Sequence, residues 1–253
     1  MKKKSELFYR ISEGENRMIK LYQKKPVLFS VMLIVFYCMV SAPIKENFGI
    51  HSIWSVVSLL IIAFLLTFFI FRNHLEKDFG FINFTENSGD CLYFIPLWIV
   101  STGNFWGGAA LNYSGTALIC GIISMALVGY VEEVIFRGFL FKSMLAKDNN
   151  KTAIAVSAIT FGAGHIINLF TGQTTAETVI QIFFAVAWGF IVTFVFYKSK
   201  SLIPCIIAHS FTDIAAEFSK SNSVAETAYI IVTIIIAVVY CVYLSRLKKY
   251  DAK

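Results

Sequence analysis

The sequence predicts an all-α membrane protein, a polytopic bundle of about eight transmembrane helices. Of its 253 residues, 57% are hydrophobic and 15% are charged, whereas ordinary soluble domains contain about 45–50% apolar and about 25% charged residues. The apolar residues occur in runs of about 20, the length that a helix needs to cross the hydrocarbon core of a bilayer. Most of the chain is therefore expected to lie in the membrane.

Eight apolar segments follow one another along the chain. They cover approximately residues 27–43, 50–71, 92–109, 115–136, 152–170, 176–197, 201–217 and 226–245. The fourth segment is expected to continue as a helix towards residue 145. The third segment carries Pro96, Asn104 and a pair of adjacent glycines, so we expect it to be kinked or broken.

The basic residues predict the orientation of these spans. Eight spans place both termini on one side, and short loops rich in Lys and Arg stay in the cytoplasm. With cytoplasmic termini, all 22 Lys and Arg residues except Lys45 and Lys220 fall in cytoplasmic segments. We therefore expect a multi-pass protein of the cell membrane with both termini in the cytoplasm. No short apolar region with a small-residue cleavage site precedes the first span, so we expect no cleaved signal peptide.

Composition divides the chain into three parts. Residues 1–26 form a basic amphipathic segment that we expect on the inner membrane surface. Residues 27–245 form the membrane domain, whose polar motifs lie at about 115–217, and residues 246–253 form a basic tail. The orientation and contact with anionic headgroups account for the net charge of +6. The lipid bilayer is thus an expected partner, and nucleic acid is not.

Polar side chains interrupt three of the apolar segments. An ionisable group at the bilayer centre costs about 2.5–3.5 kcal/mol on the insertion scale, so each one needs a reason. Such groups and their polar neighbours are Glu132, Glu133 and Arg137 in the fourth segment, His165 and Asn168 in the fifth, and His209 and Asp213 in the seventh. Counting from the nearest cytoplasmic lysine places the first glutamate, both histidines and the aspartate about 14–21 Å deep. If these helix faces converge, they form one polar cluster near mid-membrane.

The spacing within each helix favours a site over simple packing. Glu133 and Arg137 are four residues apart and can pair, while Glu132 is rotated about 100° away. His209 and Asp213 are also four apart and project together. A single intramembrane histidine is most simply a packing residue that hydrogen-bonds between helices. Two histidines together with two adjacent glutamates are better explained by a functional site.

In order along the chain, these motifs read EExxxR, FxxxH and HxxxD, with Phe161 preceding His165. Together they resemble the intramembrane proteases of the CAAX-processing and bacteriocin-immunity (CPBP) family, also described as the Abi or lysostaphin-resistance-like family. The resemblance covers about residues 115–217. It implies an eight-span helical fold with a cytosol-facing active site that cleaves a membrane-associated peptide or protein.

The resemblance also implies roles for the individual residues. Glu132 would be the catalytic base, Glu133 and Arg137 a supporting pair, and His165, His209 and Asp213 the remaining site residues. The sequence does not distinguish between a packing role and a site role for Asn168. Eukaryotic members often carry Asn where this chain has Asp213. An ionised carboxylate cannot donate a hydrogen bond, so Asp213 must be protonated, bind a metal or orient His209.

Two hydrolytic schemes suit these residues. In the first, Glu132 deprotonates a water molecule and His165 or His209 donates to the oxyanion of the intermediate. In the second, His165, His209 and Asp213 hold a divalent metal such as zinc, which acidifies a bound water. The sequence lacks a compact HExxH helix, which favours the first scheme.

Two other functional classes use the same kinds of residue. A non-proteolytic immunity or scaffold protein would keep this fold and bind a bacteriocin, a sensor or a cell-envelope enzyme. A transporter or proton relay would use the intramembrane charges for ion passage. The presence of Glu132, His165 and His209 argues against a degenerate scaffold. The absence of matching broken-helix pairs in the two halves argues against a secondary transporter.

Overall fold

The computed structural model describes residues 17–81 and 94–246. Its nine helices are α1 Arg17–Lys24, α2 Pro26–Phe48, α3 Ile53–Arg72, α4 Phe94–Ser101, α5 Gly115–Lys147, α6 Asn150–Gly164, α7 Thr175–Ser199, α8 Ile203–Ala216 and α9 Ser223–Arg246. Extended pairing in these residues is limited to one isolated bridge between Ala109 and Ser219. The predicted all-α polytopic fold is confirmed.

Six of the described helices are long and apolar enough to cross a bilayer. They are α2, α3, α5, α7, α9 and α6 together with the 3₁₀ segment His165–Thr171 that continues it. The seventh predicted span is α8, whose 14 residues rise about 21 Å. The third predicted span corresponds to the eight-residue α4 and the short 3₁₀ turn that follows it. At Gly103 in that turn, a Cβ would overlap the ring of Tyr229, so close packing against α9 requires glycine there.

Local capping explains where several helices begin and end. The side chain of Ser52 accepts the backbone N–H of Ser55 at the start of α3. Thr174 and Glu177 form a capping box at the start of α7. The 3₁₀ segment after α6 ends at Gly172, whose φ of 88° is left-handed and favours glycine. The chain therefore turns sharply between α6 and α7, which pack as antiparallel neighbours.

The helix ends gather at two opposite ends of the bundle. At one end, which we call the basic end, Ser30 Oγ lies 3.3 Å from Ser143 Oγ, and the Leu202 amide donates to the Gly80 carbonyl at 2.8 Å. At the opposite end, His51 Nε2 lies 2.7 Å from Glu217 Oε2. The basic end comprises residues 73–81, 142–150 and 199–202, and the opposite end comprises 49–52, 102–114, 165–174 and 217–222. Of the predicted non-cytoplasmic basic residues, Lys220 lies at the opposite end and Lys45 in the last turn of α2 beside it.

The positive-inside rule predicts that the basic end faces the cytoplasm. In a background whose five native cysteines are replaced, Lys147→Cys should react with a membrane-impermeant maleimide only after cells are permeabilised. Gln173→Cys, at the opposite end, should react in intact cells. The reverse pattern would invert the orientation, and reaction of both positions from one side would contradict the two-ended arrangement.

Candidate active site

A cavity of about 280 Å³ lies inside the bundle among α2, α5, α6 and α8. Five of the seven polar residues selected from the sequence line it: Glu132, His165, Asn168, His209 and Asp213. Glu133 and Arg137 lie behind its wall, where both are completely buried. The structure therefore brings the three sequence motifs to one place.

Glu133 links the motif on α5 to the histidine on α8. Arg137 Nη1 donates to Glu133 Oε1 at 2.9 Å, as their spacing predicted. The same carboxylate oxygen lies 2.8 Å from His209 Nδ1. Because a carboxylate only accepts, Nδ1 of His209 is the donor, and Nε2 is directed to the cavity. The Arg137 guanidinium also lies 4.3 Å from the centre of the Phe161 ring, in cation–π contact.

Glu132 faces away from this buried pair, towards the cavity. Its Oε1 accepts a hydrogen bond of 3.0 Å from the hydroxyl of Tyr37. Its Oε2 lies 3.8 Å from His209 Nε2, too far for a direct hydrogen bond. The two adjacent glutamates therefore have different surroundings: Glu133 is buried and bonded through Oε1 to Arg137 and His209, whereas Glu132 shares the cavity with an imidazole nitrogen.

The remaining predicted residues complete the cavity wall. Asp213 Oδ2 lies 3.5 Å from His209 Nε2, and its side chain is 25% exposed. His165 Nδ1 lies 3.2 Å from the carbonyl oxygen of Phe161, one turn earlier. A carbonyl accepts only, so His165 donates from Nδ1 and its Nε2 carries no proton in the neutral form. Asp213 therefore stands beside His209, while His165 is held by its own helix.

The residues present do not fit a metal centre. In residues 17–81 and 94–246, no three His, Cys, Asp or Glu side chains are grouped so that they could hold a metal ion. The set His165, His209 and Asp213, considered from the sequence for zinc, does not form such a group.

Small residues and a change of helix type place these side chains. A Cβ at Gly129 would lie 2.6 Å from the backbone nitrogen of Ser210, so glycine lets α5 approach α8 closely beside His209. Directly after Glu133, residues Val134–Phe141 of α5 adopt π-helical geometry. Such segments within α-helices are frequent at functional sites. The sequence signal for the close approach was the glycine, but periodicity gave no signal for the π-helix.

Aromatic rings close the cavity towards the basic end. Phe161 packs edge-on against both Phe136, at 5.2 Å, and His209, at 5.6 Å. Among the lining residues, the exposed ones are Lys45 and Ala216, both near the opposite end. The exposed part of the cavity lining therefore lies near that end, and the maleimide experiment determines which side of the membrane that end faces.

The lining residues that were not selected from the sequence include Tyr37, Lys45 and Gln181. Tyr37 lies in the middle of α2, whereas interfacial tyrosines lie near span ends, so its depth was an available signal. Lys45 was one of two basic residues on the non-cytoplasmic side of the predicted topology, which was a second signal. No pattern in the sequence marked Gln181.

A profile of the family described as type II CAAX prenyl endopeptidase Rce1-like matches residues 114–215. This segment contains all seven polar residues selected from the sequence and runs from the start of α5 to the end of α8. The resemblance to CAAX-processing intramembrane proteases is confirmed. No curated protein matches the chain.

Proposed function

We propose that this protein is an intramembrane endopeptidase of the CAAX-processing type. Its substrate is a membrane-associated peptide or protein, and its hydrolytic water is activated by Glu132. The observation that carries the proposal is the pair formed by Glu132 Oε2 and His209 Nε2, 3.8 Å apart at the wall of the cavity. The Rce1-like match over the same helices supports the same reaction class.

A general-base mechanism follows from this geometry. A water held near Glu132 loses a proton to the carboxylate as its oxygen bonds to the carbonyl carbon of the substrate. The tetrahedral oxyanion accepts a hydrogen bond from Nε2–H of His209 or His165. The ring that donates is in its protonated form, because its Nδ1–H already donates to Glu133 or to the Phe161 carbonyl. Glu132 then passes its proton to the leaving amine as the C–N bond breaks. Water supplies every atom that the products gain.

The surrounding side chains act by positioning these groups. Tyr37 donates to one oxygen of Glu132, which leaves the other oxygen for the water. Glu133, neutralised by Arg137, holds the His209 ring from its far side. Asp213 lies next to Nε2 of His209 and orients the ring as an acceptor. This role suits a carboxylate at a position where eukaryotic members of the family often have Asn.

Comparison of peptides from cells that express wild type or Glu132→Gln tests the proposal. Gln keeps the shape of the side chain and can still accept from Tyr37, but it cannot take a proton from water. Mass spectrometry of membrane and secreted fractions should show a precursor that accumulates and fragments that disappear in Glu132→Gln.

The matched control is Glu46→Gln, which removes an exposed carboxylate at the end of α2 that does not line the cavity. Its peptide pattern should equal that of wild type. If cells that express Glu132→Gln behave like wild-type cells and give the same peptide pattern, the protein works by binding. An immunity or scaffold function then replaces the proposed enzymatic one.

A further inference from the structure

His51 and Glu217 join the turn after α2 to the end of α8. His51 Nε2 donates to Glu217 Oε2 at 2.7 Å, since a carboxylate only accepts, and the glutamate side chain is 5% exposed. The His51 ring stacks on Tyr113, with 3.9 Å between the ring centres. A Cβ at Gly121 would lie 2.6 Å from His51 Cδ2, so glycine makes room for the ring on α5. Four segments of the chain therefore meet at this pair.

The His51–Glu217 pair adjoins the exposed margin of the cavity. The preceding residue on each side of the pair, Ile50 and Ala216, lines the cavity. Ala216 is one of its exposed lining residues. The pair thus fastens the turn after α2 to α8 at the place where the cavity lining reaches the surface.

The second half of α2 and the turn that follows it, residues 38–52, are held less firmly than the rest of the cavity wall. No residue of segment 38–52 is buried. Pro43 lies within the helix and lacks an N–H, so the carbonyl of Met39 has no helical partner and the helix can bend there. In the described part of the chain, the side-chain hydrogen bonds from this segment to elements other than α3 are His51–Glu217 and Lys45–Asn168.

The size of the cavity indicates that one of its walls has to move. Its volume of about 280 Å³ lies at the lower limit of the roughly 300–1,000 Å³ found for pockets that hold small ligands. A peptide bound on both sides of a cleaved bond needs more space. The wall of α5 and α8 is fixed by the buried bonds of Glu133 with Arg137 and His209. Segment 38–52 can move by losing two polar contacts near the surface.

We propose that segment 38–52 is a gate to the cavity and that the His51–Glu217 pair keeps this gate closed. Opening bends α2 at Pro43, separates His51 from Glu217 and widens the cavity for a peptide. No covalent bond changes in this step. As a route for substrate, the gate rests on the proposed endopeptidase function, whereas the movement itself does not depend on it.

Cys38 lines the cavity and serves as a native reporter of the gate. The test uses the full-length protein in nanodiscs of zwitterionic lipid, with the other four cysteines replaced by alanine. The readout is the rate at which a small, charged methanethiosulfonate modifies Cys38, measured from the mass of the intact protein. The reagent is kept dilute, so that the rate reports the fraction of open molecules. A second protein retains Cys205, buried near the start of α8, in place of Cys38.

His51→Ala and Glu217→Ala should each raise the rate at Cys38 about tenfold, because each removes one hydrogen bond to a charged group from the closed state. The double variant should be no faster than the single variants, since all three lose the same contact. Pro43→Ala restores a helical N–H and should lower the rate. The matched control is Glu46→Ala, which removes an exposed carboxylate of the same segment that does not line the cavity and should leave the rate unchanged.

An unchanged rate at Cys38 in His51→Ala and Glu217→Ala would overturn the proposal. So would an equal rise at Cys205, because the variants would then loosen the whole fold. If both variants fail to accumulate, Pro43→Ala decides, and a Cys38 rate that is not lowered refutes the gate. Labelling needs no cleavage, so these outcomes are separate from the peptide comparison with Glu132→Gln, which alone tests the endopeptidase.

Discussion

Purified Glu132→Gln and His209→Asn proteins should each cleave substrate about 10²–10⁴-fold more slowly than wild type. The first substitution removes the base. The second keeps an N–H that can donate to Glu133 but lacks the nitrogen that faces Glu132 across 3.8 Å. Because the two groups act in one step, the double variant should be about as slow as either single variant. Single-turnover rates in nanodiscs measure all three.

Several outcomes would contradict the joint action of Glu132 and His209. Multiplicative losses in the double variant would mean that His209 acts independently of Glu132, for example only through Glu133. Near-normal cleavage by Glu132→Gln would remove the base from the mechanism. The fold must be equal in all variants, which the thermal unfolding midpoint reports. A strong chelator should leave the wild-type rate nearly unchanged, whereas loss of activity and its restoration by zinc would require a metal.

Arg137→Ala should lower the free energy of unfolding by about 3–5 kcal/mol, because it leaves the buried Glu133 carboxylate without its cation. Both side chains are fully buried, and their contact is 2.9 Å long. The same carboxylate accepts a hydrogen bond from His209, so the loss of Arg137 also affects the position of His209 at the cavity. The protein level in the membrane and the thermal midpoint in detergent should both fall.

Two further variants test whether the loss of stability comes from the buried ion pair. Lys147→Ala removes an exposed cation from the same helix and should leave both readouts unchanged. Glu133→Gln together with Arg137→Met removes both charges and should recover part of the lost stability, since replacing a buried ion pair by uncharged groups is often tolerated. Full accumulation of Arg137→Ala with loss of activity alone would place Arg137 among the groups that act on the substrate.

The sequence by itself determined the features that depend on local geometry. Hydropathy and run length identify helices because a bilayer requires about 20 apolar residues to satisfy its thickness. The rise and turn of a helix place Glu133 beside Arg137 and His209 beside Asp213 whatever else the chain does. Counting along the helices also brought Glu132 and His209 to similar depths. These properties involve residues a few positions apart or distances from a membrane surface.

Only the tertiary structure decided which helix faces meet and how far each helix extends. The contacts of Glu133 with His209, Tyr37 with Glu132 and Lys45 with Asn168 join residues 76, 95 and 123 positions apart. Such contacts depend on the rotation and approach of packed helices, which glycines such as Gly129 permit but hydropathy does not record. The third segment was expected to be a kinked or broken span and the seventh a span, and the structure has the short helices α4 and α8 there. An apolar run has the same hydropathy whether lipid or other helices cover it, so only packing separates a complete span from a shorter helix inside the bundle.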